Sequence, residues 1–410
     1  EVTLQDSGEL VTGAFTFGVP HPPGYPLWAF LGYIWSHFII PFGNPAWRIG
    51  MMSVFTGAMV VGVLTLTMTR SIRLLLNSLP WPGFSDSRLT EWVALTIGAS
   101  SGLLFGFNRG VWLWACVSEM RVLNVFSFVL ITCFFFAWMI EPHRRGFLYT
   151  SVFLFGASLA NHQTIAVMAG AFAIGTFAVG LEHFFLSRKN PLKTGDTVGT
   201  LMPCLSDFWE LGAAGGLAAM TILLVFSWLQ NSVANVDAAH QNTKLAIAAG
   251  VISAMILITG KITGWWQIKR SMFAAAVLHL GISFYLYMPL AAKTNPPMNW
   301  GYAGTKEGFL HAITRGQYEK MKTADLFSSE FFLKIKVFST ALVGQYSLPL
   351  TFFAFVALVF MIVWWFKWKP SARAWMVFVW AAFLVTSFGL LTIINPKLDR
   401  QEQEITIKFF

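Results

Sequence analysis

Apolar runs follow one another along this chain from about residue 47 to residue 394, broken only by short polar loops. That pattern leaves few folds open. In hydrocarbon every backbone N–H and C=O must find its partner inside the segment or within a closed barrel. Uninterrupted apolar runs, without the two-residue alternation of barrel strands, therefore read as membrane helices. Of 410 residues, 56% are hydrophobic and only 11% charged, against about 25% charged in a soluble domain. Forty Phe and 18 Trp suit lipid contact and interfacial belts. The expected fold is an all-α polytopic membrane protein.

Ten spans are read, at 47–69, 91–107, 120–140, 147–161, 163–181, 209–229, 244–260, 272–291, 347–366 and 373–394. Several fall short of the roughly 20 residues a bilayer crossing needs, so 147–181 also reads as a helix pair broken at Asn161-His162. No internal repeat is evident. The net charge of +9 does not indicate nucleic acid, because the cations sit mostly in short loops between spans. Fourteen of the 28 Lys and Arg fall in five short loops on one side: Arg70, Arg73, Arg88; Arg144, Arg145; Arg188, Lys189, Lys193; Lys261, Lys269, Arg270; Lys367, Lys369, Arg373. The positive-inside rule makes that side cytoplasmic. Residues 1–46, 108–119, the 161–162 corner, 230–243, 292–346 and the tail from Asn395 then face the periplasm or lumen. The 292–346 loop holds seven cations of its own, but long loops translocate largely regardless of charge. Cys116, Cys133 and Cys204 have neither metal-ligand nor disulfide spacing. The chain opens at Glu1 without Met or a leading apolar segment, which reads as a span missing before it.

The stretch 25–40 (YPLWAFLGYIWSHFII) is apolar but, at about 16 residues, short for a span. It reads as an interfacial or re-entrant helix on the outer side. The expected organisation is an outer loop with a juxtamembrane helix (1–46), a bundle of about ten spans (47–394, with an outer loop at 292–346) and the start of a non-cytoplasmic C-terminal region (395–410).

The outer side gathers polar residues. Asp6 and Glu9, three apart, share one face if their segment is helical, and a Pro-His-Pro-Pro-Gly turn containing His21 follows. Asn108, Arg109, Glu119 and Arg121 flank the turn into the third span. His162 lies at the next outer corner. Asn299, Trp300, Arg315 and Tyr318 lie in the long outer loop. Each has a plainer structural reading. Asp6 fits a helix cap; His21 and His162 fit local hydrogen bonding; Glu119 and Arg121 fit mutual neutralisation; Asn299 and Trp300 fit a turn with an interfacial aromatic; Arg109 and Arg315 fit lipid-headgroup contacts. The functional reading rests on their sharing one side, since charge at membrane depth is costly unless paired or used.

Carboxylates, arginines and a lipid-facing wall suit sugar transfer from a lipid-linked phosphate donor. A carboxylate takes the acceptor hydroxyl's proton, and the leaving phosphate needs cationic support. Arginine meets phosphate with a planar fork. If the carboxylate acts as base, transfer is a single displacement with inversion.

The ordered motifs resemble those of the protein O-mannosyltransferase-like family of multispanning proteins. They are DSGELVTGAFTFGVPHPPGYPLW (6–28), W-x-x-x-S-E (114–119), G-x-S-L-x-N-H-x-T (156–164), Y-L-Y-x-P (285–289), N-P-P-x-N-W-G (295–301) and T-R-x-Q-Y (314–318). The resemblance implies a GT-C fold with a first span ahead of Glu1, and a donor of polyprenyl-phosphate-linked sugar, mannose by family. It implies Asp6 as the catalytic acid's counterpart, Glu9 as a second polar group at the site, and His21 lining the donor or acceptor cleft. Arg109, Glu119, Arg121, His162, Asn299, Trp300, Arg315 and Tyr318 are candidate substrate contacts. The chain also departs from the pattern. Glu119-Met120-Arg121 stands where Glu-Val-Tyr is expected, His162-Gln163 stands where a second histidine is common, and the chain stops at Phe410 where the family continues.

The implied acceptor is a protein or glycan hydroxyl. The implied membrane is a bacterial inner membrane or the endoplasmic reticulum. No cofactor is certain and metal dependence stays open: Asp6 and Glu9 could hold a divalent cation, weakly without further ligands. Two other readings stay open. One is a transporter or flippase, which would want midplane charges in related halves. The other is a non-catalytic subunit of a larger membrane complex.

Overall fold

The computed structural model describes residues 6–79, 88–189, 201–318 and 322–396. Lys193, Glu319, Lys320, and the segments 1–5 and 397–410 of the expected outer loop and C-terminal region lie outside the described residues. Two short helices open the chain, α1 (Ser7–Phe15) and α2 (Pro26–Ile34), the second extended by a π turn over Trp35–Ile39. Then come α3 (Pro45–Leu76), α4 (Arg88–Gly106), α5 (Arg109–Ala115), α6 (Met120–Ile140) and α7 (Arg145–Leu159). A 3-10 turn at Gln163–Val167 leads into α8 (Met168–Lys189), and the single-turn α9 (Leu201–Cys204) precedes α10 (Ser206–Ser232) and α11 (Val236–Thr263). A 3-10 turn also joins α12 (Ile268–Ile282) to α13 (Tyr287–Ala292). The remainder is α14 (Lys306–Ile313), α15 (Ser329–Tyr346), α16 (Leu348–Val363), and α17 (Pro370–Leu384) with α18 (Leu390–Ile394) across a π turn. No strand forms among the described residues; one isolated bridge pairs Val19 with Asn299.

Among the described residues, eight helical stretches are long and apolar enough to cross a membrane: α3, α4, α6, α8 with its lead turn, α10, α11, α12 with α13, and α17 with α18. α7 has only 15 residues, and α15 and α16 form a pair bent by 111°. Each of the ten stretches read as a span therefore contains a helix. Local chemistry sets the boundaries. Asn44 caps α3 by accepting from the Trp47 amide at 2.8 Å, with Pro45 in the first turn, so α3 starts before residue 47. The stretch 230–243, read as a loop, is mostly helix. α10 and α11 are joined by three residues, and Asn235 caps α11 by accepting from the Ala238 amide at 3.4 Å. Alanines among its polar residues favour the helix there. The expected outer loop 292–346 likewise carries α14 and α15.

α3 packs on α4 and α6, α7 on α6 and α12, α10 on α11 and α12, and α8 on α17. Small residues permit the closest approaches, as they do between membrane helices. A Cβ on Gly156 of α7 would lie 2.6 Å from the Leu278 carbonyl of α12.

The bundle has two chemically distinct ends. At one end arginines pair with acids: Arg73 with Glu91, Arg145 with Asp207 and Glu210 (each 2.6 Å), and Arg373 with Glu182 through two bonds. These include cations from the loops read as cytoplasmic. At the other end the chain's opening segment is sewn into the fold. The Val19 amide donates to the Met298 carbonyl at 2.8 Å, and the Trp300 amide donates back to the Val19 carbonyl at 2.9 Å. Beneath lies a core of Leu10, Ala14, Trp28, Ile49, Met120, Leu229, Met288 and Ile313. α2 is part of this core, with Trp28 and Ala29 fully buried. α15 runs along the same end. Near its start Lys334 bonds Asn395, just after α18, and at its close Gln345 accepts from Asn108, just after α4, at 3.1 Å.

Candidate functional site

Asp6 occupies the N-cap position of α1, yet its side chain makes no capping bond. Its carboxylate is half exposed and points at His21, with Oδ2 4.0 Å from Nε2. Glu9, one turn on, is more enclosed. It accepts from the His21 amide at 2.5 Å and faces the ring Nδ1 at 3.1 Å. His21 is 6% exposed, and its Nε2 lies 3.1 Å from the Tyr25 hydroxyl. α1 thus presents both acids on one face, and the Pro-Gly turn folds back so that His21 fills the space between them. Gly18 is needed for this path, because a Cβ there would sit 2.4 Å from the Met298 carbonyl oxygen.

Around this trio stand residues distant in sequence. Glu119, before α6, is 1% exposed, and neither of its buried oxygens accepts a hydrogen bond. The Arg121 Nε lies 3.9 Å away, and the Arg121 guanidinium lies over the Trp114 ring at 3.9 Å. Burial raises the Glu119 carboxyl to about 7; Arg121 opposes the shift, Asp6 and Glu9 add to it, and His21 opposes it. His162 stacks on Tyr25 at 6.3 Å between ring centres. Burial, with Arg315 and Arg121 nearby, lowers His162 to about 4, so its imidazole is neutral at pH 7. Its Nδ1 accepts from the Thr164 amide at 3.4 Å, which leaves the remaining proton on Nε2. Burial also raises the Tyr25 phenol; Tyr318, Glu119 and Asp6 add to this and Arg315 opposes it. Trp300 places its ring 6.4 Å from His21 and donates from Nε1 to Gln317 at 3.0 Å. Arg315, at φ 55°, lies over Tyr318 at 4.5 Å. The Asn299 amide donates to the Ala292 carbonyl at 3.3 Å, at the base of the loop.

Asp6, Glu9, His21, Glu119, Arg121, His162, Trp300, Arg315 and Tyr318 thus gather at one end of the bundle, with Asn299 beside them. Arg109 is exposed at the start of α5, and among the described residues no contact ties it to the cluster. Tyr25 and Gln163 were missed as site members. Tyr25 follows His21 by four residues across the turn, and Gln163 donates to the Ile313 carbonyl at 2.7 Å, tying the histidine corner to the Arg315 loop. Asp6, Glu9 and His21 could hold a cation, since one ligand atom from each lies within 4.8 Å of the others. In the present arrangement both His21 nitrogens already face partners, Glu9 and Tyr25. Two spaces open in the fold, and the first reaches the cluster through Arg121. A cavity of about 190 Å³ is lined by Asn108, Trp114, Arg121, Phe338, Gln345 and Tyr346. A groove of about 370 Å³, walled by Phe17, Phe30, Phe284, Tyr287 and Leu290, is almost wholly apolar.

Fold and site together define an all-α polytopic membrane protein with an acid–histidine–arginine cluster at one end of its bundle. Residues 6–181 match the family described as Protein O-mannosyl-transferase TMEM260 N-terminal domain. A Dictyostelium discoideum protein named Protein O-mannosyl-transferase tmem260 is 31% identical over 183 residues, 41% of this chain and 20% of that protein. A Mus musculus protein named Protein O-mannosyl-transferase TMEM260 is 30% identical over 165 residues, 40% of this chain and 20% of that protein. The matched region therefore spans about a fifth of these relatives' length. These findings support an O-mannosyltransferase-like family, as the motifs implied. No solved structure matches the chain.

Proposed function

We propose that this protein is a membrane glycosyltransferase of GT-C type. It moves a sugar, mannose by the names of its relatives, from a polyprenyl-phosphate donor to an acceptor hydroxyl on the periplasmic or lumenal side. The observation that carries the reading is the convergence of Asp6, Glu9 and His21 with Arg121 and Arg315 at one bundle end. Asp6 is the base. It is the half-exposed acid of the three, free of any capping role, and so reachable by an acceptor. Glu9 fixes His21 through two contacts, and His21 in turn faces Asp6 and Tyr25. The acceptor oxygen bonds to the anomeric carbon as its proton passes to Asp6. The bond from that carbon to the phosphate oxygen breaks, and the electron pair leaves with the phosphate, toward arginine. One displacement inverts the centre. The acceptor is a protein hydroxyl, in keeping with the relatives' names.

The test is Asp6→Asn in purified protein reconstituted with a labelled polyprenyl-phosphate mannose. Loss of a positioned general base lowers transfer by about 10²–10⁴-fold, with membrane insertion and thermal unfolding unchanged. An Asp6→Asn protein that transfers at the wild-type rate would refute the assignment.

A further inference from the structure

Glu119 is the feature that the transfer step leaves unused. Its carboxyl is buried, neither oxygen accepts a hydrogen bond, and Arg121 lies at 3.9 Å, beyond hydrogen-bond length. A buried carboxylate is normally held by donors. Arg121 reaches two environments at once. One is Glu119; the other is the cavity lined by Asn108, Gln345 and Tyr346. The Arg121 side chain is 25% exposed against 1% for Glu119, so an anion arriving through the cavity meets the arginine while the acid stays covered. Trp114 under the guanidinium holds its plane in place. The charged and titratable groups facing Glu119 are Arg121 from α6, Asp6 and Glu9 from α1, and His21 and Tyr25 from the turn before α2.

We propose that Glu119 and Arg121 form a proton-linked anion site: Arg121 takes the phosphate of a lipid-linked ligand from the cavity, and Glu119 takes up one proton as it binds. The proposal rests on the transferase reading above and assigns this pair a role in it. Asp6 and Glu9 already crowd Glu119 with negative charge, and a phosphate drawing on Arg121 takes away its nearest cationic support. The carboxyl then becomes the neutral acid. Its poise, near 7 without ligand, puts this change within the physiological range.

The experiment uses the whole chain in nanodiscs, with polyprenyl phosphate as the lipid probe and inorganic phosphate as the soluble one. Lipid affinity falls about tenfold per pH unit above pH 7, as binding coupled to one proton requires. The probe's own second ionisation, near pH 6, is complete over most of that range. Calorimetry in two buffers of different ionisation enthalpy reports about one proton taken up, and needs no variant. Glu119→Gln binds the lipid with no slope above pH 7, at least as tightly at pH 8 as wild type does at pH 6. Arg121→Gln binds at least tenfold more weakly. Wild-type binding with no pH slope, or a slope that Glu119→Gln leaves intact, overturns the proposal while leaving the transferase reading in place. Inorganic phosphate binding as tightly as the lipid overturns the lipid assignment. A wild-type protein that binds no polyprenyl phosphate at any pH, and transfers no sugar from its mannosyl ester, removes the transferase reading itself.

Discussion

Replacing Glu119 by Gln should stabilise the ligand-free protein, and only on the alkaline side. The carboxyl is held at about 7 in the folded state against an ordinary 4.5, chiefly by burial. A folded pKa above the unfolded one means that the folded chain binds the proton more tightly. The associated stability is then complete below about pH 4.5 and is lost as pH rises through 7. At 1.36 kcal/mol per pKa unit the loss amounts to roughly 3 kcal/mol by pH 8.5. Glutamine keeps the shape of the protonated acid and cannot ionise. The variant should therefore match wild type at pH 4.5 and exceed it by roughly 3 kcal/mol at pH 8.5. The two proteins differ only at position 119, so the difference between them isolates that carboxyl. Thermal unfolding of membrane proteins is often irreversible, so the fitting assay is reversible unfolding by SDS in bicelles, followed by circular dichroism at five or six pH values. A difference that stays flat with pH, or a variant less stable than wild type at pH 8.5, would show that Glu119 is an ordinary ionised member of a salt bridge.

Other perturbations probe different parts of the site. Gly18→Ala should cost about 1–3 kcal/mol, the usual range for overpacking, because the new methyl meets a backbone carbonyl that cannot swing aside; the SDS midpoint reads this, and an unchanged midpoint would mean the Val19–Asn299 bridge is dispensable. Chelation with EDTA should leave transfer unchanged, because Glu9 and Tyr25 already engage both His21 nitrogens; a loss restored by Mn²⁺ would instead place a cation among Asp6, Glu9 and His21. In a background with Cys116, Cys133 and Cys204 replaced by Ser, a membrane-impermeant maleimide should label Glu307→Cys in sealed, correctly oriented vesicles and label Lys261→Cys only after permeabilisation. The reverse pattern would put the Asp6 cluster on the cytosolic surface and end the lipid-donor reading.

The helical class was legible because burying a backbone in lipid leaves so few solutions, and the apolar runs marked where each helix lies. Helix ends were less legible. They depend on single caps such as Asn44 and Asn235, and on polar stretches such as 236–243 that remain helical because alanine-rich segments tolerate polar side chains. α15 was hidden for a related reason. Its sequence mixes Phe332 and Leu333 with Glu330, Lys334 and Lys336, which reads as loop by hydropathy, yet it suits a helix lying along the end of the bundle. The site residues were picked out by chemistry and motif, but their partnerships were not. No spacing rule links Val19 to Asn299, or Gln163 to Ile313. Tyr25 escaped notice because its role appears only once the Pro-Pro-Gly turn has brought it back under His21.

The charges in the cluster show why these residues occur together at a membrane boundary. Asp6, Glu9 and Glu119 supply three carboxyls; Arg121 and Arg315 supply two guanidinium groups; His21 and His162 supply two imidazoles. His162 is held neutral, so it contributes a donor and no charge. With Glu119 protonated, the two remaining acids balance the two arginines. With Glu119 ionised, the cluster carries one excess negative charge in a poorly hydrated place, where charge is costly. A phosphodiester donor adds another. The excess is removed most simply by a proton on the one carboxyl that water and hydrogen-bond donors do not already hold, and Glu119 is that carboxyl. In the proposed transfer, Asp6, half exposed and 4.0 Å from His21, is the acid that accepts the hydroxyl proton. In the proposed mechanism two acids of one cluster thus take opposite roles from their difference in burial. If a carboxyl-specific infrared spectrum of the donor-bound protein showed Glu119 ionised at pH 7, this division of roles would be wrong.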